Sequence, residues 1–326
     1  MSYNAYEGAD LGPAMTVTTY PELFAAVGAI LANVQATNPP ARMAAVASQI
    51  GKAQPTLVGL QEVTEWRTCP TSDFQTCAAP PTVLYDLLNL LKGSLAAQGF
   101  SYNEVVHVDV NELAAPTITG NGPILVLYTQ RNAILARSDI DPSNLQLSGV
   151  QYAKFTADLP VPSPIIPVTV HRAWASVDVN FYGTSFRFID THLDSFHPGV
   201  NFLQAEELLS GPVATTTLPV VVVMDSNSPA NLPSDPFYGT YADFQGHGFQ
   251  DAWTEANPGV PGLTCCQAGT LTNMPSAVYQ RVDLVLIHGD LNAMSALLYG
   301  GKPSDRTMGL WPSDHVGVAA RLDTGD

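Results

Sequence analysis

Several apolar runs in this chain begin or end on a group that can bind a cation or move a proton. Leu57-Val58-Gly59-Leu60 leads into Gln61-Glu62, Phe186 to Asp190 leads into Thr191-His192, and Val220 to Met224 leads into Asp225-Ser226-Asn227. Gln280-Arg281-Val282-Asp283 opens a further run, and Ser313-Asp314-His315 precedes the last one. A carboxylate or amide at the end of a buried strand costs free energy unless it finds partners. Taken singly, each reads as an Asx turn or a solvated strand end. Taken together with Asn4, at the end of Met1-Ser2-Tyr3, they form an inventory for hydrolysing a phosphoester bond. Glu62, Asp314 and Asn4 offer hard oxygen ligands of the kind Mg²⁺ or Mn²⁺ prefers. Such an ion polarises a phosphoryl oxygen and steadies the leaving oxygen. Asp225 then orients and deprotonates the attacking water, and Asn227 holds the water or the phosphate through its amide. His315 stabilises phosphate charge, with Asp283 fixing its tautomer, and His192 contacts the phosphate or protonates the leaving group.

The elements that must carry these residues follow from periodicity. Val220 to Val223 is β-branched without alternation, as expected of a strand dry on both faces. Thr56 to Val63 reads the same way. Trp174 to Phe181 and Ser185 to Asp190 largely alternate around Tyr182-Gly183-Thr184, a hairpin pattern whose second strand delivers His192. Further strands are expected at Tyr102 to Asp109, Ile124 to Thr129, Ala133 to Arg137, Gln280 to Ile287, Ala293 to Tyr299 and Val316 to Leu322, with a short extended piece at Gly248 to Trp253. Helical spacing marks Pro21 to Asn38, Pro40 to Ala53, Val83 to Gln98, Val200 to Leu209 and Phe237 to Phe244. Thr64 to Pro81 and the polar stretch up to Gly122-Pro123 read as loops, the second as a cleft rim, and Ser138 to Pro167 as irregular. Thr16 to Tyr20 is a rival first strand, but Pro21 stands where its amide should be. Many strands, few helices and several hairpins predict two packed sheets with helices outside, within one domain spanning residues 1–326. Strands and helices do not alternate strictly, which speaks against a TIM barrel or a Rossmann fold.

The chain has 13 basic and 29 acidic residues and a net charge of −16. That balance opposes non-specific attraction to phosphate backbones or anionic membranes, so a polyanionic substrate would need a bound cation. Apolar runs are far shorter than the roughly 18 residues of a membrane span. Cys69 and Cys77 bracket a polar loop short enough to be closed by a disulfide, which suggests an oxidising compartment. The adjacent Cys265 and Cys266 leave three options open: a vicinal disulfide, separate partners, or free thiols. Neither pair has CxxC spacing, so zinc is disfavoured. Met1 to Asn4 is not a signal peptide, and the expectation is a secreted or periplasmic protein whose leader is absent from this chain.

Gln61-Glu62, Thr191-His192-Leu193, Asp225-Ser226-Asn227, Arg281-Val282-Asp283 and Ser313-Asp314-His315, in this order, resemble the signature of the endonuclease/exonuclease/phosphatase superfamily, and Ser2-Tyr3-Asn4 resembles its first strand. Met224 stands where the Gly before Asp-x-Asn is usual. The resemblance implies an α+β fold, a four-layer α/β/β/α sandwich of two mixed, mostly antiparallel sheets. It also implies a divalent metal at Glu62 and catalytic roles for His192, Asp225, Asn227, Asp283 and His315. The expected substrate is a phosphoester, either nucleic acid or a phospholipid or small phosphodiester. The alternative is a catalytically silent member serving as a binding or extracellular assembly module, for which the short first strand is the main support. Asp283 has the competing role of an ion-pair partner for Arg281. Arg172 reads as a surface arginine, and His107, His197, His247 and His288 as ordinary.

Overall fold

The computed structural model describes residues 1–163, 165 and 167–323. Two mixed sheets lie face to face. The path of the first runs through Asn292–Tyr299, Gly317–Asp323, Ser2–Asn4, Leu57–Gln61, Gly122–Arg137, Glu65–Pro70 and Thr82–Asp86, and Tyr102–Thr119 also pairs with Gly122–Arg137. The second runs Gln250–Asp251, Asp283–His288, Val220–Asp225, Thr184–His192, Ala173–Phe181, Leu145–Lys154. Ser2–Asn4 pairs in parallel with Leu57–Gln61, and Thr184–His192 in parallel with Val220–Asp225; the other pairings are antiparallel.

Side-chain parity explains the layers. Val221 and Val223 meet Leu57, Ile134 and Ala136 between the sheets. Val220, Val222 and Met224 point the other way, under Leu208, Tyr241 and Phe244 of the helices Pro198–Leu208 and Tyr238–Gly246. The run is therefore dry on both faces, and alternation has no reason to appear. On the outer face of the first sheet, Val58, Leu60 and Leu135 pack against Leu31, Val34, Val46, Ile50 and Leu91 of Tyr20–Ala36, Pro39–Ala53 and Leu87–Ala97. The order is helices, sheet, sheet, helices, the sandwich expected from the sequence.

Parity also aims the chemistry. Asp225 continues the face of Val221 and Val223, and Asp283 that of Val285 and Ile287, so both acids point between the sheets. Register sets His192 opposite Asp225 and Asp225 opposite Asp283, which makes one row at one end of the second sheet. Facing this row is the first strand, only three residues long yet paired on both sides, with Asn4 beside Gln61.

The local readings differ from the structure in three places, while the preference against a strand at Thr16 to Tyr20 holds. The expected polar loop after Asp109 is instead a long hairpin of Tyr102–Thr119 and Gly122–Arg137. Beyond Asp109 it exposes Ala114 and Ile118 beside Glu112 while burying Asn111 and Thr117, and it carries register shifts near Val106 and Asn111, which together mask the strand period. The turn at Gly120-Asn121 closes on Gly122, whose φ of +107° suits glycine. Glu65–Pro70 is a strand inside the expected Thr64–Pro81 loop, and Thr82–Asp86 pairs with it, so the next helix starts at Leu87 rather than Val83, with Asp86 accepting from Asn89 N–H at 2.9 Å. In the expected irregular stretch Ser138 to Pro167, Leu145–Lys154 forms an exposed edge strand, and Pro164 and Ile166 lie outside the described residues. Thr16 to Tyr20 is not a strand; Thr19 caps Tyr20–Ala36.

Gly59 lies where the second sheet comes close, and a Cβ there would sit 2.3 Å from Val223 and 2.5 Å from Asp190. Gly59→Val should destabilise the protein by about 2–3 kcal/mol, read as a lower denaturant midpoint with an unchanged slope.

Candidate active site

The site grows from the row His192, Asp225, Asp283. Asn4, fully buried, donates from Nδ2 to Asp225 Oδ2 at 2.8 Å and to Glu62 Oε1 at 3.0 Å, while its Oδ1 accepts from Tyr6 N–H at 2.9 Å. The amide thus meets the acids as a donor and ties two carboxylates from opposite sheets together. Glu62 follows its strand with φ +58°, and its second oxygen takes Glu7 N–H at 3.0 Å. Asn227 is also left-handed, at φ +48°, a conformation Asn tolerates better than most residues. That turn brings its N–H to Asp225 Oδ1 at 3.1 Å and its amide to within 3.0 Å of His192 Nε2. Met224 is a buried strand residue, and the sharp turn falls at Asn227, so no glycine is required before Asp225.

The two histidines are driven in opposite directions. Burial and the neighbouring Arg172 lower the His192 pKa to about 3, so the ring is neutral. Arg172 Nη1 lies 3.1 Å from His192 Nδ1. Both ring nitrogens thus face a donor, Arg172 at Nδ1 and the Asn227 Nδ2 amide at Nε2, and Nε2 also lies 3.5 Å from Asp225 Oδ2. His315 is buried as well, which by itself would lower its pKa, but Asp283, Asp225 and Asp314 hold it well above its ordinary value. Its Nδ1 meets Asp283 Oδ2 at 2.8 Å and its Nε2 faces Asp225 Oδ2 at 3.6 Å. Asp225 is depressed despite burial, because His315, His192, Asn4 and Asn227 all favour the anion. A neutral and a cationic histidine thus flank one carboxylate, the kind of divergence that marks assigned acid and base roles.

Around this centre lies a cleft of about 380 Å³ lined by Glu62, His192, Asp225, Asn227, Asp314 and His315, with Glu7, Tyr128 and Arg172 beside them. Of the residues singled out in the sequence, Asn4 and Asp283 lie behind this wall, holding Glu62, Asp225 and His315 in place. Burial first, then Glu62, pushes Asp314 up to about 7, and the same two causes raise Glu7 well above the carboxylate range. Carboxylates crowded in this way are a donor set that fits a hard divalent cation. Glu62, His192 and Asp225 bring one ligand atom each within 4.8 Å of one another.

Five contributors escape the sequence reading. Arg172 is not on the surface; it is 4% exposed, donates to Ser195 Oγ at 3.2 Å, and its Nε has no partner among the described residues. Hairpin register carried the signal: pairing is symmetric about Tyr182-Gly183 and sets Ala173 opposite His192, which makes Arg172 a neighbour of the ring. Tyr128 donates to the Glu7 carboxylate, and neither residue stands in a pattern that singles it out. Thr264 Oγ1 accepts from Asp283 N–H at 3.1 Å, and Ser313 Oγ donates to the Asn4 carbonyl at 2.8 Å. Arg281 pairs with Asp251, leaving Asp283 to His315. Both cysteine pairs are disulfides: Cys69–Cys77, with Cα atoms 5.5 Å apart, and the vicinal Cys265–Cys266 in the cleft wall.

No protein-family model matches the chain by sequence, and no curated protein does. Solved structures do match in three dimensions. An endonuclease/exonuclease/phosphatase family protein from Bacteroides thetaiotaomicron superposes with a TM-score of 0.58 at 15% identity, covering 98% of this chain and 95% of that one. A second, from Bacteroides vulgatus, gives 0.57 at 15% identity over 99% and 97% of the two chains. The fold is that of the endonuclease/exonuclease/phosphatase proteins. A mannosyl-6-phosphatase of Bacteroides thetaiotaomicron shares this fold with a TM-score of 0.55, again at 15% identity, over 99% of this chain and 98% of that chain.

Because Asp314 holds its proton up to about pH 7 in the folded chain, against an ordinary 3.8, the folded state binds more protons than the unfolded between those values. Stability therefore falls as pH rises through that window. In chelator, Asp314→Asn should raise the melting temperature at pH about 8, and the gain should fade as pH falls through the same window.

Proposed function

We propose that this chain is a divalent-metal-dependent hydrolase of phosphoester bonds, acting foremost on phosphodiesters. The carrying observation is Asp225, an anion at the centre of the cleft, set between a neutral His192 and a cationic His315 and tied to Glu62 by Asn4. The fold supports the reading, since one protein that shares it is a mannosyl-6-phosphatase. Glu62 and Asp314 are the residues that would hold Mg²⁺ or Mn²⁺, with Asn4 orienting Glu62. Such an ion supplies charge neutralisation at the phosphoryl and leaving oxygens.

The chain's own residues do the rest. Asp225 aligns a water and takes its proton as the new P–O bond forms. Asn227, whose Nδ2 donates to Leu193 O at 3.0 Å, and the neutral ring of His192 are the groups that face the phosphate. His315 opposes the negative charge that gathers on the phosphoryl oxygens, and Asp283 keeps it charged and aligned. Arg172 adds a buried positive charge behind His192. The old P–O bond then breaks, its electron pair goes to the departing oxygen, and the proton that Asp225 took from the water passes to that oxygen through solvent. A net charge of −16 gives no long-range pull on a polyanion, which favours small phosphodiesters or phospholipid headgroups over long nucleic acid. The paired first strand removes the main support for a silent binding module. Cys69–Cys77 supports an oxidising, secreted or periplasmic setting.

Hydrolysis of bis(4-nitrophenyl) phosphate should require Mg²⁺ or Mn²⁺ and stop in chelator. Asp225→Ala should lower kcat by about 10³-fold while leaving the melting temperature within a few degrees. A wild-type protein that cleaves neither this ester, DNA nor phospholipid with either ion would refute the reading. Metal binding must displace the proton from Asp314, so Mg²⁺ affinity by calorimetry should weaken as pH drops below about 7, toward tenfold per pH step, and Asp314→Asn should flatten that dependence while weakening binding overall.

A further inference from the structure

The cleft does not end at the catalytic groups. Leu11, Met15, Leu113 and Tyr128 line it and also line a second cavity of about 290 Å³. The walls of this neighbour are Leu23, Val27 and Ile30 of Tyr20–Ala36, Trp66, Ala115 and Val126, and the short helix Gly12–Met15 flanks it. Leu23, Val27, Trp66 and Val126 are buried core residues, so the cavity is a gap in the helix-on-sheet layer that opens sideways onto the active-site cleft.

Polarity changes sharply at the junction. Tyr128 gives its hydroxyl to Glu7 on the cleft side, and Trp66 Nε1 donates to Glu7 O at 2.9 Å, so the polar atoms of both rings are engaged toward the acids. Their carbon faces remain for the cavity. Glu112, at the exposed rim, is the single charged residue among the described residues that line it. An anion has no cationic partner there. A sugar or base would leave hydroxyls and amides without hydrogen bonds against aliphatic walls, a penalty that discriminates strongly. An alkyl group loses nothing on entering an apolar cavity and gains for each methylene removed from water.

We infer that the substrate is a phosphodiester with one apolar alkyl substituent, seated with its phosphate against Asp225 and His315 and its chain in the cavity beyond Tyr128. This rests on the hydrolase reading above and names the substrate class for the same site. Ala115 and Ala14 lie on different walls of the cavity, and both are half-buried, so a large side chain at either position fills it without displacing the core.

The test holds the leaving group constant in a series of 4-nitrophenyl alkyl phosphodiesters bearing methyl, butyl or hexyl, with thymidine 4-nitrophenyl phosphate as the nucleotide comparator, each with Mg²⁺ or Mn²⁺. The kcat/KM should rise from methyl to hexyl by roughly threefold to fourfold per methylene until the chain outgrows the cavity, and exceed that of the nucleotide ester. Ala115→Phe and, independently, Ala14→Trp should collapse the hexyl-to-methyl ratio toward one. An active enzyme with no chain-length dependence, or with a preference for the nucleotide ester, overturns the inference and leaves the hydrolase reading standing. Should neither these esters nor bis(4-nitrophenyl) phosphate, DNA or phospholipid be cleaved, the hydrolase reading fails, and calorimetry with hexylphosphonate and methylphosphonate decides the cavity alone. Tighter binding of the hexyl compound that Ala115→Phe abolishes upholds the apolar subsite, and equal or absent binding overturns it.

Discussion

One buried amide holds the site together. Asn4 Nδ2 reaches Asp225 on the second sheet and Glu62 at the end of a first-sheet strand, so two like charges that would repel across a dry interface share one donor. Each acid has a further donor, Glu7 N–H for Glu62 and Asn227 N–H for Asp225, so what the bridge adds is their position relative to each other. The bridge works because the first strand is locked from both sides, and because Ser313 donates to the Asn4 carbonyl and then accepts from His315 N–H at 3.0 Å. The segment carrying Asp314 and His315 is thereby fastened to the residue that sets Asp225 and Glu62.

A gradient of charge follows from this clamp. His315 lies among three acids and is cationic; His192 lies beside Arg172 and is neutral; Asp225 lies between the two rings. The cationic His315 and the anionic Asp225 run against burial, whereas burial first and Arg172 second keep His192 neutral, and Asp283 is the leading cause that holds His315 charged. The charge state of the cleft therefore depends on Asp283, which does not line it, as well as on Arg172, which does. The apolar cavity extends the same logic: Tyr128 and Trp66 turn their polar atoms to Glu7, leaving carbon surface on the cavity side.

Much of this was legible in the residues. Acids and histidines at strand ends, with the hairpin about Tyr182-Gly183, pointed to the site, and the unbroken valines before Asp225 pointed to a strand covered on both faces. The long hairpin was hidden because it exposes Ala114 and Ile118, buries Asn111 and Thr117, and slips its register twice, which blurs a period of two. Arg172 was hidden because a lone arginine before a strand is most often solvated, and only pairing opposite His192 buries it.

What the chain determines by itself is composition at fixed spacing: which strands end on a titratable group, how often apolar residues recur, and a net charge of −16. Those are local properties, set by side-chain type and backbone period. Tertiary structure alone decided that Asn4 meets Asp225 across 221 positions, that Asp283 serves His315 while Arg281 goes to Asp251, and that an apolar cavity opens beside Glu7. The physical reason is that pKa, hydrogen-bond partner and cavity shape depend on distance and burial, and both arise only when two sheets close on each other and exclude water.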